Sequence, residues 1–282
     1  NHSVLQAGSR AQPEFIINHH FNHQIKKRTG MKSFIITALT AFTTIVAGAQ
    51  TTETRDAKPA TALEVKNGIE VVLTQGATPS LKVEAQSTEQ LYNVVTVYRK
   101  GTLKVYLKTA EGVIAPIKVY VTEPNITSVE ATNGAGVKVN GRLEEETMDI
   151  KLAGGSGFNG EVKTTGELHI RAASGSSFRG AVHTGHFHAQ AYSGGVIKAV
   201  GEAVTAKVYS RGGTVHAGKL LTQSTHAIAL NGAAVFIHTK ERVEVETDAA
   251  STITYYGDPV IAVTGNDTYS IQRDTQKLSL NN

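Results

Sequence analysis

Histidine is the one enriched metal-capable side chain beyond residue 50, at His169, His183, His186, His188, His216, His226 and His238. His186 and His188 share a short segment, and His169 lies one repeat before His188. His169, His186 and His188 are therefore the candidate ligands of a metal ion, two or three imidazoles within reach of one centre. The chain has no Cys to assist them. Asp149 and Lys207 fall at the same repeat position, which equally describes a mixed polar ladder on a strand face.

Carboxylates able to hydrolyse a polysaccharide are confined to Glu144-Glu145-Glu146, read as a solvated connection, and to Glu244 with Glu246. Neither group has a basic partner that sequence can place. The G-x-S-x-G, H-E-x-x-H and G-G-x-G-x-D patterns are absent. No catalytic residue and no cofactor are expected. Arg171, Gln190, Tyr192 and Tyr209 form the candidate binding group, since tyrosine faces stack on sugar rings or on a protein while Arg and Gln hydrogen-bond. The simpler alternative is that Tyr is a good strand residue with a wet tip.

A repeat of 18 to 21 residues positions these side chains across residues 129–257, a period that belongs to solenoids. The turns read Asn133-Gly134-Ala135-Gly136, Gly154-Gly155-Ser156-Gly157, Ser174-Gly175-Ser176-Ser177, Ser193-Gly194-Gly195, Arg211-Gly212-Gly213, Asn231-Gly232-Ala233-Ala234 and Ala249-Ala250-Ser251. An apolar β-former follows each: Val137, Phe158, Phe178, Ile197, Val215, Val235 and Ile253. No helix begins after these turns and no Lys-Ser/Thr follows them, so their glycines serve the backbone and not a phosphate.

Period-2 alternation then assigns faces. Leu168, Ile170 and Ala172 point inward, as do Phe187, Ala189 and Ala191, then Ala206 and Val208. Stacked coils place Asp149, His169, His188, Lys207, His226 and Glu244 in one outward column. Lys151, Arg171, Gln190, Tyr209, Ile228 and Glu246 form the next, and Tyr192 and Tyr209 are expected at equivalent positions of neighbouring coils.

The N-terminal part reads differently. From Met31, Lys32-Ser33 precedes an apolar run over 34–46 and Ala47-Gly48-Ala49, the pattern of a secretory signal peptide. Residues 1–30 are read as upstream sequence outside the native protein, 31–49 as the signal peptide and 50–58 as a flexible lead-in. Residues 59–124 are a less regular β region that caps the coils, 125–272 are the repeats, and 273–282 are a tail. One helical turn is expected from Thr88 to Asn93, and a hairpin about Lys100-Gly101.

The charge of 28 Lys and Arg against 24 Asp and Glu is set largely by the leader. Arg10, Lys26, Lys27, Arg28 and Lys32 against Glu14 lie before residue 50, so their removal leaves 23 of each sign. A neutral chain lacks the electrostatic footprint of nucleic-acid binding. No later segment has the length and hydropathy of a membrane-spanning helix.

Gly68-Ile69 with Val71, Leu73, Gln75 and Gly76, the Ser/Asn-Gly repeats, and Ile253-Thr254-Tyr255-Tyr256-Gly257-Asp258-Pro259 together resemble the head GIN domain family of auto-transporter adhesins. The third position of the naming motif differs, being Glu70. The resemblance implies an all-β, right-handed parallel β-helix exported by a Gram-negative bacterium, with a role in adhesion and no catalytic residues. The sequence to Asn282 holds no run of strands suited to a transmembrane barrel, so export through the leader is expected, to the periplasm, the outer-membrane surface or the medium. The expected partner is a cell-surface glycan or protein. A self-associating envelope protein is the alternative, and a carbohydrate-active enzyme the third.

Overall fold

The structure is a computed structural model that describes residues 50–109, 116–264 and 269–275. The upstream segment and signal peptide read at 1–49 lie outside the described residues, as do residues 276–282 of the tail. In chain order the first elements are β1 (Thr51–Arg55), β2 (Ala62–Val65), β3 (Glu70–Gln75), β4 (Ser80–Ala85), α1 (Thr88–Asn93), β5 (Val94–Arg99), β6 (Thr102–Leu107) and β7 (Lys118–Glu123). Then come β8 (Ser128–Ala131), β9 (Gly136–Glu145), β10 (Met148–Leu152), β11 (Gly157–Thr164), β12 (Glu167–Ala173) and β13 (Ser177–Tyr192). The last are β14 (Val196–Arg211), β15 (Thr214–Leu230), β16 (Ala234–Thr247), β17 (Thr252–Tyr256), β18 (Val260–Thr264) and β19 (Ile271–Arg273).

From β8 onward the described pairings are parallel and join each coil to the next, which makes the fold a β-solenoid. Register lines up the apolar residues that follow the turns: Val137, Phe158, Phe178, Ile197, Val215, Val235 and Ile253 form one inward column. All of them are buried. Phe158 and Phe178 stack within it, centroids 5.3 Å apart. A second column alternates large and small, Ile170, Ala189, Val208, Ala227 and Val245, so that bulky side chains fill space left by alanines.

The turns owe their composition to backbone conformation. Ser174 and Gly175 have φ of 52° and 72°, and Asn133 with Gly134 and Asn231 with Gly232 repeat this pair of left-handed residues. Asn and Gly tolerate that region where a branched side chain does not. Seryl hydroxyls finish the corner from inside: Ser156 Oγ donates to Ala131 O at 2.7 Å and Ser176 Oγ to Leu152 O at 2.9 Å.

The N-terminal region departs from a simple cap. β2 and β3 pair in parallel with β8 and β9 on one side and with β6 and β7 on the other. They are a coil of the solenoid, and the later strands β6 and β7 form the coil beyond it. From β2 the chain therefore runs through the second coil, moves out to the first, and returns past β2 and β3 to β8. Only β1, β4, α1 and β5 are added as a cap, with β4 antiparallel to β7 and β5 antiparallel to β6.

The returning segment is fastened by Gln75. Its amide nitrogen donates to Pro124 O, Glu144 O and Glu145 Oε1 at 3.0–3.1 Å, and its oxygen accepts from Glu144 N at 2.7 Å. Glu145 Oε1 also accepts from Ile126 N at 2.8 Å, so Glu145 is a structural member of the crossing and not part of a solvated connection.

Residues 50–58, expected to be flexible, contain β1, which pairs antiparallel with β4. Arg55 holds it there, donating to Leu91 O at 2.9 Å, Val94 O at 2.8 Å and Thr96 Oγ1 at 3.1 Å. Leu91 O belongs to the last turn of α1 and also accepts from the Val94 backbone N–H that caps the helix. Ser87 caps the other end, accepting from Gln90 N at 3.2 Å.

Candidate functional site

The outward columns of β10, β12, β13 and β14 stand in the predicted register: Asp149 pairs with His169, His169 with His188, and His188 with Lys207. Beside them run Lys151, Arg171, Gln190 and Tyr209. A shallow groove of about 140 Å³ lies between the two columns, lined by Asp149, Lys151, His169, Arg171, His188 and Gln190. These six side chains come from outward strand positions, and the core residues Ile150 and Ile170 lie between them at the floor.

The structure corrects one expectation about the tyrosines. Tyr192 pairs with Arg211 and Tyr209 with Gln190, so the two occupy diagonal and not equivalent positions. They meet nonetheless, with ring centroids 5.7 Å apart. Arg171 completes the diagonal, its guanidinium carbon 4.7 Å from the Tyr192 centroid. An Arg over an aromatic face is a cation–π contact, and it fixes the ring while leaving guanidinium N–H groups free to donate outward. Arg171 and Gln190 are exposed and the two tyrosines half-buried.

Among the histidines, His169 and His188 stack with centroids 4.4 Å apart and planes 16° from parallel. His169 Nε2 lies 2.9 Å from Glu167 Oε2. The ligand atoms of Glu167, His169 and His188 all fall within 4.8 Å of one another. His186 does not join them; its Nδ1 meets Thr205 Oγ1 at 2.8 Å on the neighbouring coil. Sequence reading missed Glu167, although its two-residue spacing from His169 places both on one face of a strand.

The electrostatics of the group follow from its packing. The hydrogen bond from His169 holds the Glu167 carboxyl below its ordinary range. Partial burial lowers the pKa of His188, helped by the charge of His169. The remaining histidines are dispersed: His216 stacks on Phe236 at 4.9 Å and His238 meets the edge of Tyr256 at 6.3 Å. A second groove of about 260 Å³ runs past His183, Glu202, Gln223 and Lys240 at another corner of the coils.

A stack of parallel coils with outward columns of polar and aromatic side chains is a β-solenoid. The match is specific: residues 60–259 fit the family model described as "Putative auto-transporter adhesin, head GIN domain", and the chain belongs to that family.

Solved structures agree on the fold. A putative adhesin from Parabacteroides merdae ATCC 43184 superposes with a TM-score of 0.72 at 15% identity, covering 81% of this chain and 97% of that one. One from Parabacteroides distasonis ATCC 8503 gives 0.75 at 14% identity, covering 81% and 98%. A putative lipid binding protein from the same organism gives 0.61 at 14%, also covering 81% and 98%. Comparison with curated protein sequences finds no match. No helix among the described residues is long and apolar enough to cross a membrane.

Proposed function

We propose that this protein is an exported, non-catalytic adhesin that binds a cell-surface glycan through the strip formed by Arg171, Gln190, Tyr192 and Tyr209. The observation that carries the proposal is the diagonal contact of Arg171, Tyr192 and Tyr209 on the solvent side of a rigid sheet. Ring faces contribute apolar area at little cost in conformational entropy, and the flanking Arg and Gln supply donors for sugar hydroxyls. The arrangement suits contacts summed along the face, as solenoid surfaces generally do. Membership of the family supports adhesion, and the apolar run after Met31 supports export.

Screening the purified protein on a glycan array, alongside a Tyr192→Ala/Tyr209→Ala variant, tests this reading. Binding that is lost in the variant supports it. A protein ligand captured at the same strip, with no glycan bound, would redirect it to a protein partner.

Self-association is a second reading, favoured by the C-terminal end of the solenoid. β18 pairs with β16 on one side only among the described strands, and Val260, Ile261 and Val263 are exposed on it. An uncharged edge strand of this kind pairs readily with a second copy. Sedimentation over a wide concentration range tests it, with Ile261→Lys expected to abolish any concentration-dependent increase in mass.

A further inference from the structure

The geometry points to a divalent transition-metal site formed by Glu167, His169 and His188 on the outer face of the solenoid, bridging β12 and the coil that follows it. Three observations meet there. The three ligand atoms lie within 4.8 Å of one another. His169 and His188 are register partners on adjacent parallel strands. Glu167 is two residues before His169 on the same strand, and its Oε2 is already 2.9 Å from His169 Nε2.

A tetrahedral ion at about 2.0–2.2 Å from N and O donors sets its ligand atoms about 3.4 Å apart, so Glu167 Oε2 and His169 Nε2, now 2.9 Å apart, would open slightly to admit it. The imidazoles stack with planes 16° from parallel, so their ring nitrogens do not yet converge on one point. The sheet fixes the three Cα positions, so the ion requires the Glu167, His169 and His188 side chains to rotate on the outer face of the strands. The ion would take the place of the proton shared by His169 and Glu167.

Two imidazoles and one carboxylate, with no thiolate, suit Zn²⁺, Cu²⁺ or Ni²⁺ better than Ca²⁺ or Mg²⁺. Three protein ligands leave a position open toward the groove beside Arg171 and Gln190, so the bound ion would hold a water or an acidic group of a partner. Because it spans two coils, the ion also clamps them together. This site is independent of the glycan reading, whose residues are not its ligands.

The test uses the full chain with His2, His19, His20 and His23 replaced by Ala, which removes the histidines of the first thirty residues as competing ligands. Zn²⁺ is titrated against a chromogenic chelator at pH 7.5. The expected result is one Zn²⁺ per chain in the micromolar range, weakened about 10-fold or more by each of Glu167→Gln, His169→Ala and His188→Ala. His186→Ala and His226→Ala should leave the affinity unchanged. Thermal unfolding without metal confirms that each variant folds, and the exposed Glu167→Gln keeps the test decisive if His188→Ala does not. Absence of saturable Zn²⁺ binding, or binding indifferent to Glu167→Gln and His169→Ala, or binding weakened equally by His186→Ala, overturns the site.

Discussion

The rings of Tyr192 and Tyr209 approach to 5.7 Å between centroids, although strand pairing sets Tyr192 opposite Arg211 and Tyr209 opposite Gln190. The contact is a diagonal one, within reach of aromatic side chains on adjacent strands. Aromatic pairs of this kind contribute about 0.5–1.5 kcal/mol beyond burial. Tyr192→Ala is therefore expected to lower stability by no more than about 2 kcal/mol in a urea titration. A larger loss would mean that the pair serves folding and not recognition.

Gln75 is expected to matter more than its half-buried position suggests. Its amide ties Pro124 O in the crossing segment to Glu144 and Glu145 at the end of β9, with the two N–H groups shared among three acceptors and the oxygen accepting from Glu144 N. Gln75→Ala leaves those groups to water or unpaired, and a loss of about 2–3 kcal/mol is expected from equilibrium unfolding. Gln75→Glu should also destabilise, because a carboxylate cannot donate to Pro124 O.

The repeats and the faces of their strands were legible because two independent signals coincide in them. Left-handed turns need Gly, Asn or Ser at the corner, and the residue after each turn is apolar. The order of the first coils was not legible, since Leu63 and Val71 alternate in the same way whichever coil they pair with. Only the long-range pairing of β2 with both β6 and β8 decides it.

β1 escaped notice for another reason. Thr51-Thr52-Glu53-Thr54-Arg55 has no apolar face, and its strand is held by backbone pairing to β4 and by the reach of Arg55. In the site, the outward columns followed from alternation, whereas the alignment of Tyr192 with Tyr209 depended on where each strand enters its coil. The role of Glu167 depended on rotamers, which spacing does not specify.

Glu123 gives stability a pH dependence of definite sign. Its carboxyl is fully buried, with Oε2 accepting from Ala60 N at 3.0 Å and Oε1 without a hydrogen-bond partner. Burial raises its pKa, and the Ala60 hydrogen bond opposes this only in part. A carboxyl whose pKa is higher folded than unfolded binds a proton more tightly in the folded state. Its contribution is fully present below the unfolded value of about 4.3 and is lost as pH rises through the folded value. Relative to Glu123→Gln, the parent protein should lose thermal stability between pH 4 and pH 8. A parent-minus-variant difference that stays constant, or that rises with pH, would contradict this assignment.

Two glycines separate backbone strain from crowding. Gly175 has φ of +72° with open space where a Cβ would stand, so Gly175→Ala should cost about 1–2 kcal/mol, the penalty of the left-handed region alone. Gly201 has φ of +121°, and a Cβ there would lie 2.2 Å from Val182 O on the preceding coil. Gly201→Ala should cost about 2–5 kcal/mol, since backbone must move as well. Denaturant midpoints of the two variants give the comparison directly; equal losses would refute it.

Titration calorimetry with a glycan selected on the array tests most directly whether the outward strip is a recognition surface. Arg171→Ala, Tyr192→Ala and Tyr209→Ala should each weaken binding about 10-fold or more, the loss expected of a residue central to an interface. Tyr106→Ala and Tyr120→Ala, on the first coil, should leave it unchanged. Undiminished binding by the three strip variants, with every variant folded, would contradict the account.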